Sequence, residues 1–153
     1  MKSLADTNVR VAVVERIGDL SPQAGARWGK MNAHQMLCHC NDALLCAFGE
    51  KEASPATGVF QRTVMKTVAL WVPAPWPKGI PTRPEVDQTD GTGTRPVEFV
   101  RDRLELIRQI ERFCNPNCDL SSAFHPFFGL MSEAEWKRWG YLHLDHHLRQ
   151  FGG

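Results

Sequence analysis

The stretch MNAHQMLCHCNDALLCAFG, residues 31–49, constrains the fold more than any other part of this 153-residue chain. Asn32 is a good helix N-cap, and Gln35 three residues on completes a capping-box pattern. Gly49 supplies a stop. Between them the helix is apolar or small nearly all round: Met36, Leu37, Cys38, Cys40, Ala43, Leu44, Leu45 and Cys46. A helix with no wet face needs partners on every side, which places it at the centre of a helical bundle. His39 sits in its middle, and a charge-capable group there requires a partner.

The partners are legible as three further helices. ADTNVRVAVVERIG (5–18) reads as the first, with Val11, Val14 and Ile17 expected on one face. Thr94 and Pro96 open a third, through RPVEFVRDRLELIRQIERFC, with Phe99, Leu104, Ile107 and Ile110 at helical spacing. Ser132 and Glu135 form another capping box, opening a last helix over about 133–150. Residues 50–58 read as a loop, and FQRTVMKTVALW (60–71) as an extra short helix. Five prolines between 73 and 84, with Gly91 and Gly93 after them, exclude a regular helix over 72–94. This long proline-rich loop is read as a strap or a lid. AFHPFFGLM (123–131) reads as a buried aromatic connector, with no convincing strand. The expected fold is all-α: a four-helix bundle with an extra short helix and a long proline-rich loop, one domain over 1–153 without internal repeats.

On a wheel of about 100° per residue with His143 at zero, His147 falls near +40°, Gln150 near −20°, Trp136 near +20° and Trp139 near −40°. Lys137, Arg138, Asp145 and Arg149 fall on the opposite side, which is expected to meet water. The histidine stripe therefore points inward. Two inward histidines at i and i+4 have β-carbons about 6 Å apart, a spacing suited to chelation. With His39 from the buried helix they form a three-histidine metal site: His39, His143 and His147. His146 lies at the edge of the stripe and ranks below them. Any one of these histidines alone would read as a satisfied core residue. Cys38 and Cys40 each point about 100° away from His39, so the string Cys38-His39-Cys40 is no three-ligand clamp.

Three imidazoles without a fourth obvious ligand leave open positions, the mark of a catalytic rather than a structural site. Imidazole suits zinc, nickel, iron or copper; a divalent ion, zinc or nickel, is the expectation. Asp42, one turn beyond His39, reads either as a base or second-layer acceptor or as a surface carboxylate, and Asp42 and His146 are the candidate catalytic groups. Trp136, Trp139 and Gln150 are the candidate pocket residues, with Trp76 reaching in from the proline-rich loop.

Composition removes other classes. The net charge of +1 carries no footprint for nucleic acid or an anionic membrane. The apolar runs fall short of the ~20 residues that span a bilayer. Lys2 is followed by Asp6 and Arg10, which interrupt a signal peptide, so a cytoplasmic location is expected. Five cysteines, an odd number without such a signal, are expected as reduced thiols.

One histidine in a buried second helix (MLCHC), with H-x-x-x-H and a following glutamine in the last (HLDHHLRQ), resembles the DinB-like (DinB/YfiT) superfamily of metal-binding helical bundles. WGKMNAHQMLCHC, PWPKGIPTRPE and HPFFGLMSEAEWKRWGYLHLDHHLRQFG resemble an uncharacterised branch of it, a domain of unknown function. The resemblance covers nearly the whole chain. It implies His39, His143 and His147 as ligands, unusual helix connectivity, a divalent metal and frequent homodimers. It also implies kinship with transferases and isomerases that present a low-molecular-weight thiol to a small electrophilic substrate. Fold does not fix function. A metal-dependent hydrolase and a non-catalytic metal- or small-molecule-binding bundle remain the alternatives.

Overall fold

The computed structural model describes residues 1–55 and 58–153, so residues 56 and 57 of the expected 50–58 loop lie outside the described residues. The chain is mostly helical. Its helices are α1 (Thr7–Gly18), α2 (Ala33–Ala47), α3 (Lys66–Trp71), α4 (Phe99–Cys114) and α5 (Glu133–Gln150). A π-helical turn, Gln61–Met65, leads into α3, and a 3-10 turn, Pro84–Val86, interrupts the proline-rich loop. Both expected capping boxes form: Asn32 with Gln35 opens α2, and Ser132 with Glu135 opens α5. Local chemistry thus sets where the two site-bearing helices begin.

The four longer helices close a ring in the order α1, α4, α2, α5, rather than in chain order. Leu37, Leu44, Leu106, Ile110, Phe113, Leu144 and Leu148 fill its centre and are essentially inaccessible to solvent. Each such side chain contributes about 1.5–3 kcal/mol relative to exposure. At Gly140 a β-carbon would come within 2.9 Å of Leu4 and 3.0 Å of Phe113, so α5 can pack this closely only without a side chain there. Among the described residues no helix is long and apolar enough to cross a membrane.

Several sequence expectations need correction. In α1 the buried face is Val13 and Ile17, and Val11 is 48% exposed. Helix α4 starts at Phe99 with Glu98 as its cap, so Thr94 and Pro96 precede it outside any helix or strand. Its buried face is Leu106, Gln109, Ile110 and Phe113, while Leu104 points to solvent. The aromatic connector contains a small antiparallel hairpin, Phe124–His125 (β1) with Gly129–Leu130 (β2). Its inward anchor is His125, whereas Phe124 and Leu130 are exposed.

The charged face of α5 is also not what the wheel predicts. Lys137 and Arg138 are buried. Lys137 Nζ donates to the carbonyl of Phe113 in the last turn of α4. Arg138 Nε donates to Leu70 O of α3 at 2.8 Å, and its Nη1 reaches Lys2 O. Both cations cap the C-terminal ends of neighbouring helices, where unsatisfied carbonyls and the negative dipole end favour positive charge. Asp145 pairs with Arg16 of α1 at 2.8 Å. A wheel separates apolar from charged residues, but it cannot see that a neighbouring helix ends against the charged side.

Candidate metal centre

Helix α2 supplies His39, and α5 supplies His143 and His147. The ligand-type nitrogens of all three lie within 4.8 Å of one another. Ring centroids are 5.2 Å apart for His39 and His143, 4.7 Å for His39 and His147, and 4.8 Å for His143 and His147. His39 is 5% and His147 9% exposed; His143 is intermediate.

Hydrogen bonds orient two of the rings. His39 Nδ1 lies 2.7 Å from Val86 O, which can only accept, so Nδ1 carries the proton and Nε2 a lone pair. His147 Nδ1 lies 3.0 Å from Gln150 Oε1, which leaves its Nε2 free in the same way. Gln150 is itself oriented, because its Nε2 donates to Trp28 O at 2.6 Å. Gly29, at φ +78°, makes room there: a β-carbon would stand 2.7 Å from that amide nitrogen. His143 stacks on Trp139, with centroids 5.1 Å apart and planes 16° apart.

His39 Nε2 and His143 Nε2 face each other at 3.2 Å. At that distance a neutral His143 with its proton on Nε2 donates to His39, and a metal ion between the two nitrogens would take the place of that proton. Burial pushes all three imidazoles below the usual histidine range, and His143 and His147 well below it; the neighbouring imidazoles add to this for both. Protonation is therefore disfavoured. A tetrahedral ion with metal–nitrogen bonds of about 2.0–2.1 Å separates its ligand nitrogens by about 3.3 Å. The donor set and its spacing fit a divalent metal.

The remaining sequence candidates fall at different depths. Trp76 packs beside the centre, its ring 6.5 Å from His143 and 6.2 Å from His146, and its Nε1 donates to Ala69 O at 2.8 Å. His146 is half-buried between Trp28, Trp76 and His147. Trp136 sits behind Trp139, edge to face with it and against His125, so it supports the wall from the core. His125 is held down to about 3 by burial, and its Nδ1 accepts from the amides of Phe127 and Phe128 at 3.2 Å each.

Asp42 is fully buried. Its Oδ2 accepts from Lys51 Nζ at 2.7 Å, Gln88 Nε2 at 2.7 Å and the Thr94 amide at 2.8 Å, and its Oδ1 from Thr94 Oγ1 at 2.7 Å. It ties the end of the proline-rich loop to α2, and that attachment in turn carries Val86 to His39. Sequence reasoning missed Lys51, Gln88 and Thr94 as its partners; the available signal was a carboxylate in an otherwise apolar helix. The cysteines are free thiols. Cys38 is pushed up to about 12, by burial first and then by Asp102. Two surface concavities, about 430 and 300 Å3, lie elsewhere, around residues 116–121 with 131–133 and around 48, 112, 115 and 117–119.

Fold and site together define a mostly helical protein with a buried three-histidine cluster geometrically able to hold a metal ion. The chain belongs to the DUF1569 family, described as a protein of unknown function, whose profile matches residues 2–152. Comparison with curated proteins and with solved structures found no match.

Proposed function

We propose that this protein is a divalent-metal enzyme, a thiol-dependent transferase acting on a small electrophile, built on a four-helix bundle of the DinB-like superfamily. The observation that carries the reading is the convergence of three neutral imidazoles from α2 and α5, two of them with the non-ligating nitrogen already hydrogen-bonded. The closed helix ring and its order support the bundle and the unusual connectivity. Zinc or nickel suits this donor set.

A bound divalent ion would lower the pKa of a thiol or a water that reached its open position. The chain's own residues do the rest. Val86 O and Gln150 Oε1 hold the rings in the ligating tautomer. Trp139 and Trp76 wall the approach with apolar surface and exclude water from the electrophile. His146, half-buried beside His147, is the base nearest the cluster for the thiol proton, although burial and then Arg149 lower its affinity for one. The sulfur then bonds to the electrophilic carbon, and the leaving group departs with its electron pair.

The state of Asp42 removes one of the two candidate bases that a hydrolase would use. A hydrolase needs a general base beside the open position. Asp42 instead accepts four hydrogen bonds within the loop junction, which leaves His146 alone for that role. The test is elemental analysis of purified protein, followed by thiol consumption with a panel of small thiols and electrophiles. About one metal per chain is expected in the wild type and almost none in His143→Ala. Metal retained in that variant would refute the ligand set. Stoichiometric metal with no thiol consumption, and no hydrolysis in a parallel ester panel, would reassign the protein as a non-catalytic metal-binding bundle.

A further inference from the structure

A second group of ligand-type side chains meets on another face of α2. His34 and Cys38 stand at i and i+4, one helical turn apart on the same face. Asp102, from the first turn of α4, faces them. His34 Nε2 lies 2.8 Å from Asp102 Oδ2, and Cys38 Sγ lies 3.8 Å from the same oxygen. The three ligand atoms all fall within 4.8 Å of one another. Cys38 is 4% exposed, and the His34 and Asp102 side chains are 20% and 13% exposed. The reaction proposed above uses none of them.

Asp102 Oδ2 also accepts the Val97 amide at 2.9 Å. One carboxylate oxygen thus faces three donors, while Oδ1 lies 3.9 Å from Arg101 Nε. The imidazole and the thiol thus converge on one carboxylate oxygen, Oδ2. The edge of Phe99 packs on the His34 ring, with centroids 5.4 Å apart, and limits its rotation. Nitrogen, sulfur and oxygen donors in one small, partly open volume match the borderline-soft preference of zinc.

We propose that His34, Cys38 and Asp102 form a second divalent-metal site, of zinc type, that pins α2 to α4. The three side chains supply three ligands, and water completes the set from the exposed side. On binding, the ion replaces the proton on the Cys38 sulfur, which goes to solvent. The His34 proton now directed at Asp102 moves from Nε2 to Nδ1 through solvent, so that Nε2 presents its lone pair and the ring stays neutral. No electrons are transferred. The site ties two helices together and lies on a different face of α2 from the three-imidazole cluster.

The two sites are chemically distinguishable, since only the second contains a thiolate. Full-length protein is stripped with a chelator and titrated with Co2+, following the thiolate-to-cobalt charge-transfer absorption in the near ultraviolet. Wild type, His143→Ala, Cys38→Ser and His34→Gln are compared, with circular dichroism confirming that each is folded. Wild type is expected to take two equivalents, one accompanied by the thiolate band. His143→Ala keeps the band with a single equivalent. Cys38→Ser, a one-atom change, loses the band while an equivalent still binds. His34→Gln shows the band only at Co2+ concentrations at least 10-fold higher. Absence of the band in folded wild type, or its survival in Cys38→Ser, would overturn the proposal and leave a hydrogen-bonded staple only. Neither result depends on whether His39, His143 and His147 bind metal.

Discussion

His39 and Asp42 lie three residues apart on α2, both deeply buried, yet their surroundings are opposites. Around Asp42 every partner is a donor: an ammonium, an amide NH2, a backbone N–H and a hydroxyl. Both carboxylate oxygens are thereby matched by donors. Around His39 the outer nitrogen is satisfied by Val86 O, while the inner one faces other imidazoles. That junction brings three imidazoles together, with His39 and His143 within hydrogen-bond distance of each other. Buried polar groups cost free energy unless they are paired. A buried carboxylate matched by donors is therefore architecture, whereas three converging imidazoles have the geometry to hold a metal ion.

Asp42→Ala gives the largest expected effect. It leaves Lys51, Gln88 and Thr94 without their acceptor and should cost about 3–5 kcal/mol in urea unfolding. The milder Asp42→Asn should still bind about one metal per chain. Loss of metal at full folding in Asp42→Asn would break the distinction between the two junctions.

Acid should separate the buried histidines from the rest of the core. His125 is held down to about 3 from 6.5 by burial, so its folded value lies below its unfolded one. The stability linked to its neutrality is intact above pH 6.5 and is lost as pH falls from there toward 3. The slope is about 1.4 kcal/mol per pH unit, or roughly 2.7 kcal/mol by pH 4.5. In metal-free protein, the stability difference between pH 6.5 and 4.5 should shrink by about 2 kcal/mol in His125→Gln. Equal differences in the two proteins would show that burial does not hold this ring neutral.

Gln150→Leu probes the receptor from one layer out. Removing the acceptor that orients His147 should weaken metal binding about 10–100-fold in a competition titration, with little change in unfolding. An unchanged affinity would mean that packing against His39 alone fixes that ring. Ser132→Ala is the smallest. Loss of the α5 cap should cost about 1 kcal/mol, with metal stoichiometry unchanged because the ligands lie beyond the second turn. Metal loss there would show that the ligands depend on the whole of α5.

The amino-acid sequence by itself determined the helices that carry the site and which of their histidines meet. Capping boxes at Asn32 and Ser132 are local chemistry, decided by residues three apart, so the starts of α2 and α5 were legible. The inward stripe of His143 and His147 followed from helical periodicity, as did the turning away of Cys38 and Cys40. Periodicity failed where a partner decided the outcome. Lys137 and Arg138 read as a wet face, and only the placement of α3 and α4 showed that carbonyl ends lie against them. Thr94 and Pro96 carry a helix-start signal, but Asp42 captures Thr94 and the helix begins later. Asp42 itself, weighed as a base or a surface group, became a loop anchor through residues 9, 46 and 52 positions away. Short-range geometry is written in the order of side chains. The satisfaction of a buried charge depends on which distant donor arrives beside it, and only the tertiary structure decided that.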